Sequence, residues 1–249
     1  GRRPRPGGMV DTQPPLTPAE TAAAAMRAAG AARLALRPDP MAYATAANLL
    51  LSHKADLPYV MRLAADGKIA GERFIRENAS SYKLDGKVQA SIERNAATFA
   101  DLAGWVSYQQ GDIVAAEARL AEAARLFHNN DAANQLHLAE LSVKKADLET
   151  ARDHFLNALG LSGITPPQRE QATRALAEAQ AKSGESPADF DKWLTTTLDR
   201  KRDERRKAIA SNMIGKKMPP LVLKDVQGNN VDLRAQRGNT VLLNFFAAW

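Results

Sequence analysis

The sequence predicts a mainly α-helical chain of repeated helical hairpins that runs into the opening elements of an α/β domain. Three observations carry that expectation. Helix-start signals recur as far as about residue 210, with alanine-rich, helically spaced apolar segments between them. In the middle of the chain a set of small and bulky apolar positions returns at a fixed offset of 35 residues. From Gly215 onward the pattern changes from helical spacing to short β-type runs separated by Gly and Asn.

Residues 1–16, with Pro4, Pro6, Gly7, Gly8 and the Pro14–Pro15 pair, read as a disordered leader. Helical order begins at Thr17-Pro18-Ala19-Glu20, which supplies a capping hydroxyl, a proline at the first helical position and a glutamate reaching back. Similar starts follow at Asp39-Pro40, at Thr165-Pro166-Pro167-Gln168 and at Ser186-Pro187-Ala188-Asp189, so residues 17–210 are expected to form one helical domain. Within it, Ala103-Gly104, Gly111-Asp112, Ala116, Leu120 and Ala123 form one set. Adding 35 gives Leu138-Ala139, Ala146-Asp147, Ala151, Phe155 and Ala158. Small residues return where two helices must touch, with Gly104 expected against Ala116 and Ala139 against Ala151. A turn pair returns between the helices, and a bulky residue returns on the second helix. The units run near 97–130 and 131–165, with a degenerate third at 166–200 around Leu176-Ala177, Gly184 and Trp193.

This repeat resembles the tetratricopeptide repeat, a helix–turn–helix of about 34 residues. The resemblance implies a concave face lined by the first helix of each unit, and hence a groove for a protein or peptide partner. In that register Thr98, Asp101, Trp105 and Tyr108 face the groove from the first unit. Ala133, Leu136, His137, Glu140 and Lys144 face it from the second. Family members that clamp a peptide carboxylate use Lys and Asn where this chain has Asp101 and Trp105, so no such clamp is expected. Trp105 and Tyr108 are either groove anchors or packing against the next helix.

Residues 211–249 read as a separate α/β segment. Leu221-Val222-Leu223 and Val231-Asp232-Leu233 flank the turn residues Gln227-Gly228-Asn229-Asn230 and should form a hairpin. Val241 to Phe246 is a continuous apolar run, the pattern of a strand covered on both faces. The order of these elements resembles the lead-in of TlpA/ResA-type thioredoxin-like disulfide oxidoreductases. Gly215, Pro219 and Pro220 match its first part, and Asp225 and Gly228 its hairpin. Leu233, Arg237 and Gly238 match the segment before the core strand, and Val241 to Phe246 with Trp249 match the strand and its exit. Leu221 departs from the pattern where an aromatic is common, as do Phe246 and Ala248 where a Trp and a small polar residue are usual. The resemblance places that family's Cys-x-x-Cys directly after Trp249, making Phe245, Phe246 and Trp249 the flank of the redox motif. A thiolate in that position is activated by a helix N-terminus.

Composition narrows the chemistry. The formal charge of +6 resides in Arg2, Arg3 and Arg5 and in the tract Arg200 to Lys207, leaving the rest of the 249 residues near neutrality. That is not the continuous basic face of a nucleic-acid binder. The sequence has no cysteine and no run long enough to span a membrane. The four histidines show no metal-ligand spacing, and no phosphate loop or dinucleotide fingerprint is present, so neither a metal nor a cofactor is expected. The expected function is therefore a portion of a TlpA-type thiol–disulfide oxidoreductase, inactive by itself because the thiols are missing. Its helical repeats would position a protein partner, and the apolar strand at 241–246 would favour self-association. The resemblance implies an exported protein, although the first fifteen residues lack a signal pattern. The competing reading is a helical scaffold without catalysis.

Overall fold

A computed structural model describes residues 17–36, 39–81, 84, 86–184, 188–213, 215–216 and 220–242. Among these residues the chain forms nine α-helices and one two-stranded sheet. The helices are α1 (Pro18–Leu36), α2 (Pro40–Ser52), α3 (Leu57–Glu77), α4 (Val88–Gln109) and α5 (Ile113–Leu126), followed by α6 (Ala132–Lys144), α7 (Leu148–Leu159), α8 (Pro166–Ser183) and α9 (Phe190–Met213). The chain divides into two compact units, the first ending at Leu198 and the second beginning at Asp199.

Local chemistry sets most helix starts. Thr17 and Glu20 form a reciprocal box, in which the Glu20 amide donates to the Thr17 hydroxyl and the Thr17 amide to the Glu20 carboxylate. Thr165 and Gln168 do the same at α8. Aspartates 39, 56, 112, 131 and 147 each accept from a backbone amide three residues on. Asp189 likewise caps α9, accepting from the Lys192 amide at 3.0 Å; Ser186 and Pro187 lie outside the described residues.

The offset of 35 reappears in backbone geometry. At the turn after α4, amides 110, 111 and 112 donate to the carbonyls of Val106, Tyr108 and Ser107 at 3.0, 3.0 and 2.9 Å. After α6, amides 145, 146 and 147 donate to Leu141, Val143 and Ser142 at the same three distances. The middle residue is left-handed in both turns, with φ of +83° at Gly111 and +60° at Ala146. Asp112 and Asp147 then cap the next helix at 3.0 and 3.1 Å. One supersecondary unit is thus built twice.

Packing follows the chain rather than a single centre. One buried cluster joins residues of α2, α3 and α4, a second joins α5 and α6, and a third joins α6, α7 and α8 with Leu194 of α9. This neighbour-to-neighbour order is how a stack of hairpins buries apolar surface. Ala116, Leu120, Ala123, Ala139, Ala151 and Ala158 are fully buried, and Phe155 is nearly so. A Cβ on Gly104 would meet Leu120 Cγ and Cδ2 at 2.8 Å and its backbone nitrogen at 3.1 Å, so Gly104 packs against Leu120, one turn along α5 from Ala116.

In the second unit the basic tract of α9 is laced by its own ion pairs, Arg200–Glu204 at 2.7 Å and Arg202–Asp199 at 3.0 Å among them. Strands β1 (Val222–Lys224) and β2 (Asn230–Asp232) pair antiparallel, with Leu223 opposite Val231. Each strand is displaced by one residue from the expected run, β1 later and β2 earlier in the chain. Their turn is closed by Asp225, whose carboxylate accepts from the amides of Gln227 and Asn229 at 2.9 and 2.8 Å. Gly228 takes the left-handed conformation there, with φ +86°. Val241 and Leu242 are exposed and carry no strand pairing, and residues 243–246 of the expected core strand lie outside the described residues.

Candidate functional site

The first helices of successive hairpins, α4 and α6, bring most of the expected groove residues together. Asp101 sits at the junction, buried apart from about a tenth of its surface. It accepts from Asn134 Nδ2 at 2.8 Å and from His137 Nδ1 at 3.0 and 3.1 Å. Asn134 also donates to the Leu120 carbonyl at 3.1 Å, so one buried amide ties α6 to both helices of the preceding hairpin. Trp105 stacks on the His137 ring with centroids 4.2 Å apart and on Tyr108 at 4.5 Å. The result is a parallel aromatic array spanning two helices.

Charge in this cluster is set by competition. Burial pulls the His137 pKa down, but the Asp101 carboxylate, through both charge and hydrogen bond, outweighs it with help from Glu140 and Asp131, and the net shift is upward. Glu140 is held above the usual carboxylate range because burial disfavours its charge more than His137 restores it. The Tyr108 hydroxyl is raised by burial and by Glu140.

Two grooves open beside the rings. One, of about 400 Å³, is lined by Asn48 and Ser52 of α2, by Trp105 and Gln109 of α4, and by Asp101 and His137. The other, of about 470 Å³, is lined by Tyr108, by Glu140 and Lys144 of α6, and by Gln171, Glu178 and Lys182 of α8. Gln171 Nε2 donates to Glu140 at 3.2 Å. The Gln109 carbonyl oxygen is buried without a hydrogen-bond partner.

Asp101, Trp105, Tyr108, His137, Glu140 and Lys144 therefore lie on the grooves. Thr98 does not: it is half-buried and its hydroxyl donates to the Arg94 carbonyl of its own helix. Leu136 is packed in the core of the α6–α8 region rather than on a groove. Phe245, Phe246 and Trp249 lie outside the described residues. Sequence reasoning missed Gln171 and Glu178, although a further step of 35 from Leu136 and Val143 lands on them. It also missed Asn48, which no repeat signal reaches, and Asn134, a polar residue on a core-facing position. No cluster of three or more metal-ligating side chains occurs among the described residues. No helix among them is long and apolar enough to cross a membrane.

No family model matches the sequence, and no curated protein matches it. A similar solved structure is that of BtubC (BKLC) from P. vanneervenii, 15% identical over 92% of this chain and 100% of that one, with a TM-score of 0.36. A likeness that loose carries no argument about either fold or activity.

Proposed function

We propose that the helical unit is a tetratricopeptide-like protein-binding module, and that residues from Gly215 onward are the lead-in of a TlpA-type thioredoxin-like domain whose partner the module positions. The observation that carries the first part is the pair of grooves lined mainly by α2, α4, α6 and α8, with Trp105, Tyr108 and His137 among the lining residues. Alternating helices on one face are what a solenoid offers to an extended segment of another protein. Aromatic side chains with part of their surface free are the groups that anchor such segments.

The second part rests on the hairpin at 222–232, closed by Asp225 and Gly228 where the family pattern has its Asp-x-x-Gly turn. In a thioredoxin-like protein of this type, the first thiolate of a Cys-x-x-Cys attacks a disulfide and the second resolves the mixed intermediate. This chain has no cysteine, so residues 17–242 contribute recognition rather than thiol chemistry. Reading the parent gene beyond Trp249 separates this proposal from a scaffold without catalysis.

Site-specific photo-crosslinking tests the binding face. A crosslinker at Lys144, on the groove, should capture partner segments, whereas one at Val114, exposed on α5 and lining neither groove, should not. Equal capture from both positions would refute the groove reading.

A further inference from the structure

We infer that the groove between α4, α6 and α8 takes a cationic side chain, arginine above all, from an extended segment of the partner protein. The inference rests on the groove being the protein-binding face.

The groove is lined by a half-buried carboxylate, Glu140, and by the aromatic face of Tyr108, while its lysines, Lys144 and Lys182, are exposed. Glu140 accepts one hydrogen bond, from Gln171, and forms no ion pair among the described residues. Burying a carboxylate without a cation is costly, and the upward shift of its pKa records that cost. The nearby His137 imidazole is already committed to Asp101 through its Nδ1. Tyr108 lies on the same groove, and its ring can lie under a guanidinium that donates to Glu140.

The lysines do not reverse this. Lys144, Lys182 and Glu178 are exposed, so their charges are screened by water and salt far more than the charge of Glu140. An acidic ligand would meet those two lysines, but also the half-buried charge of Glu140 and the exposed charge of Glu178. A cationic ligand supplies the ion pair that Glu140 lacks. Guanidinium fits better than ammonium because it is planar, stacks on a ring and donates along two directions to one carboxylate.

The test uses the full chain and four fluorescein-labelled heptapeptides, acetylated and amidated, identical except for Arg, Lys, norleucine or Glu at the centre. Fluorescence anisotropy should show the Arg peptide binding about tenfold or more tightly than the norleucine peptide, the size expected of a desolvated charge-assisted pair. Glu140→Gln, which keeps the hydrogen bond to Gln171 within reach, should erase that preference. Gln171→Ala, which frees a Glu140 oxygen and touches only an exposed side chain, should keep or widen it. If the norleucine or Glu peptide binds as tightly as the Arg peptide, and Tyr108→Ala weakens all of them, the cation inference falls while the groove reading stands. If none of the four binds, the groove reading falls with it. A preference for Arg that survives Glu140→Gln, or one that is lost on Gln171→Ala, also overturns the inference.

Discussion

Adding one methyl group at Gly104 tests whether the hairpin crossing is as tight as the structure places it. A glycine inside α4 is a poor helix former, and replacing it by alanine in open solvent would gain about 0.5–1 kcal/mol. Here the new Cβ would lie 2.8 Å from Leu120 Cγ and Cδ2 and 3.1 Å from the Leu120 backbone nitrogen. Leu120 is fully buried, so its side chain has no free space to retreat into, and the backbone atom cannot move without shifting α5. Overpacking of this kind costs about 1–3 kcal/mol. Over most of that range the loss exceeds the gain, and Gly104→Ala should destabilise the helical unit by up to about 2 kcal/mol. At about 2–4 °C per kcal/mol for a chain of this size, the thermal midpoint should fall by up to several degrees.

Circular dichroism at 222 nm during heating and urea titration measures it. Gly163→Ala is the control: nothing lies within 4 Å of its Cβ position. That variant should be neutral or gain about 0.4–1 kcal/mol through the unfolded state. Trimming the opposing residue is the sharper check. In a Leu120→Ala background, which itself costs about 2–5 kcal/mol, the Gly104→Ala penalty should vanish, a coupling of about 1–3 kcal/mol. An unchanged or raised midpoint for Gly104→Ala would refute the reasoning, and so would a penalty of the same size in both backgrounds.

Other expectations follow from single features. Ala146 holds the left-handed conformation that Gly111 holds in the equivalent turn. Ala146→Gly should therefore stabilise the chain by roughly 1 kcal/mol in urea titrations, against the usual loss for alanine to glycine. The raised pKa of His137 means its contribution is fully present below the unfolded imidazole pKa and is lost as pH rises through the folded value. The stability gap between the parent chain and His137→Gln should be widest near about pH 6 and shrink towards about pH 9; a gap independent of pH would contradict the Asp101 pairing. With no cysteine in the sequence, the purified 249-residue chain should show no turnover in an insulin-reduction assay, and measurable reduction would overturn the division of labour proposed above.

What the sequence alone determined are the features that depend on neighbours along the chain. The capping boxes at Thr17 and Thr165 and the aspartate caps need partners only three residues away, and the helices begin where those residues stand. The offset of 35 was legible because two turns solve the same steric problem with the same small residues. The β-hairpin followed from a Gly/Asn turn between short apolar runs, to within a residue. The expectation that Trp105, Tyr108, His137 and Glu140 share one face came from the tetratricopeptide resemblance, whose register assigns the first helix of each unit to the groove.

Tertiary structure alone decided how those faces meet. No periodicity tells that Asn134 turns inward to hold Asp101 and a carbonyl of α5, or that His137 does the same and has its pKa raised by that carboxylate. Leu136, one position from His137, is drawn into the core instead of the groove, because where α6 faces its neighbours is set by packing between helices. The tight packing of Gly104 against Leu120 is likewise set by how α4 and α5 cross, which spacing along the chain does not show. Asn48 and Gln171 reach the grooves from helices whose repeat signal is absent or worn, since the stack needs their backbones in place but leaves their solvent-side residues free to vary.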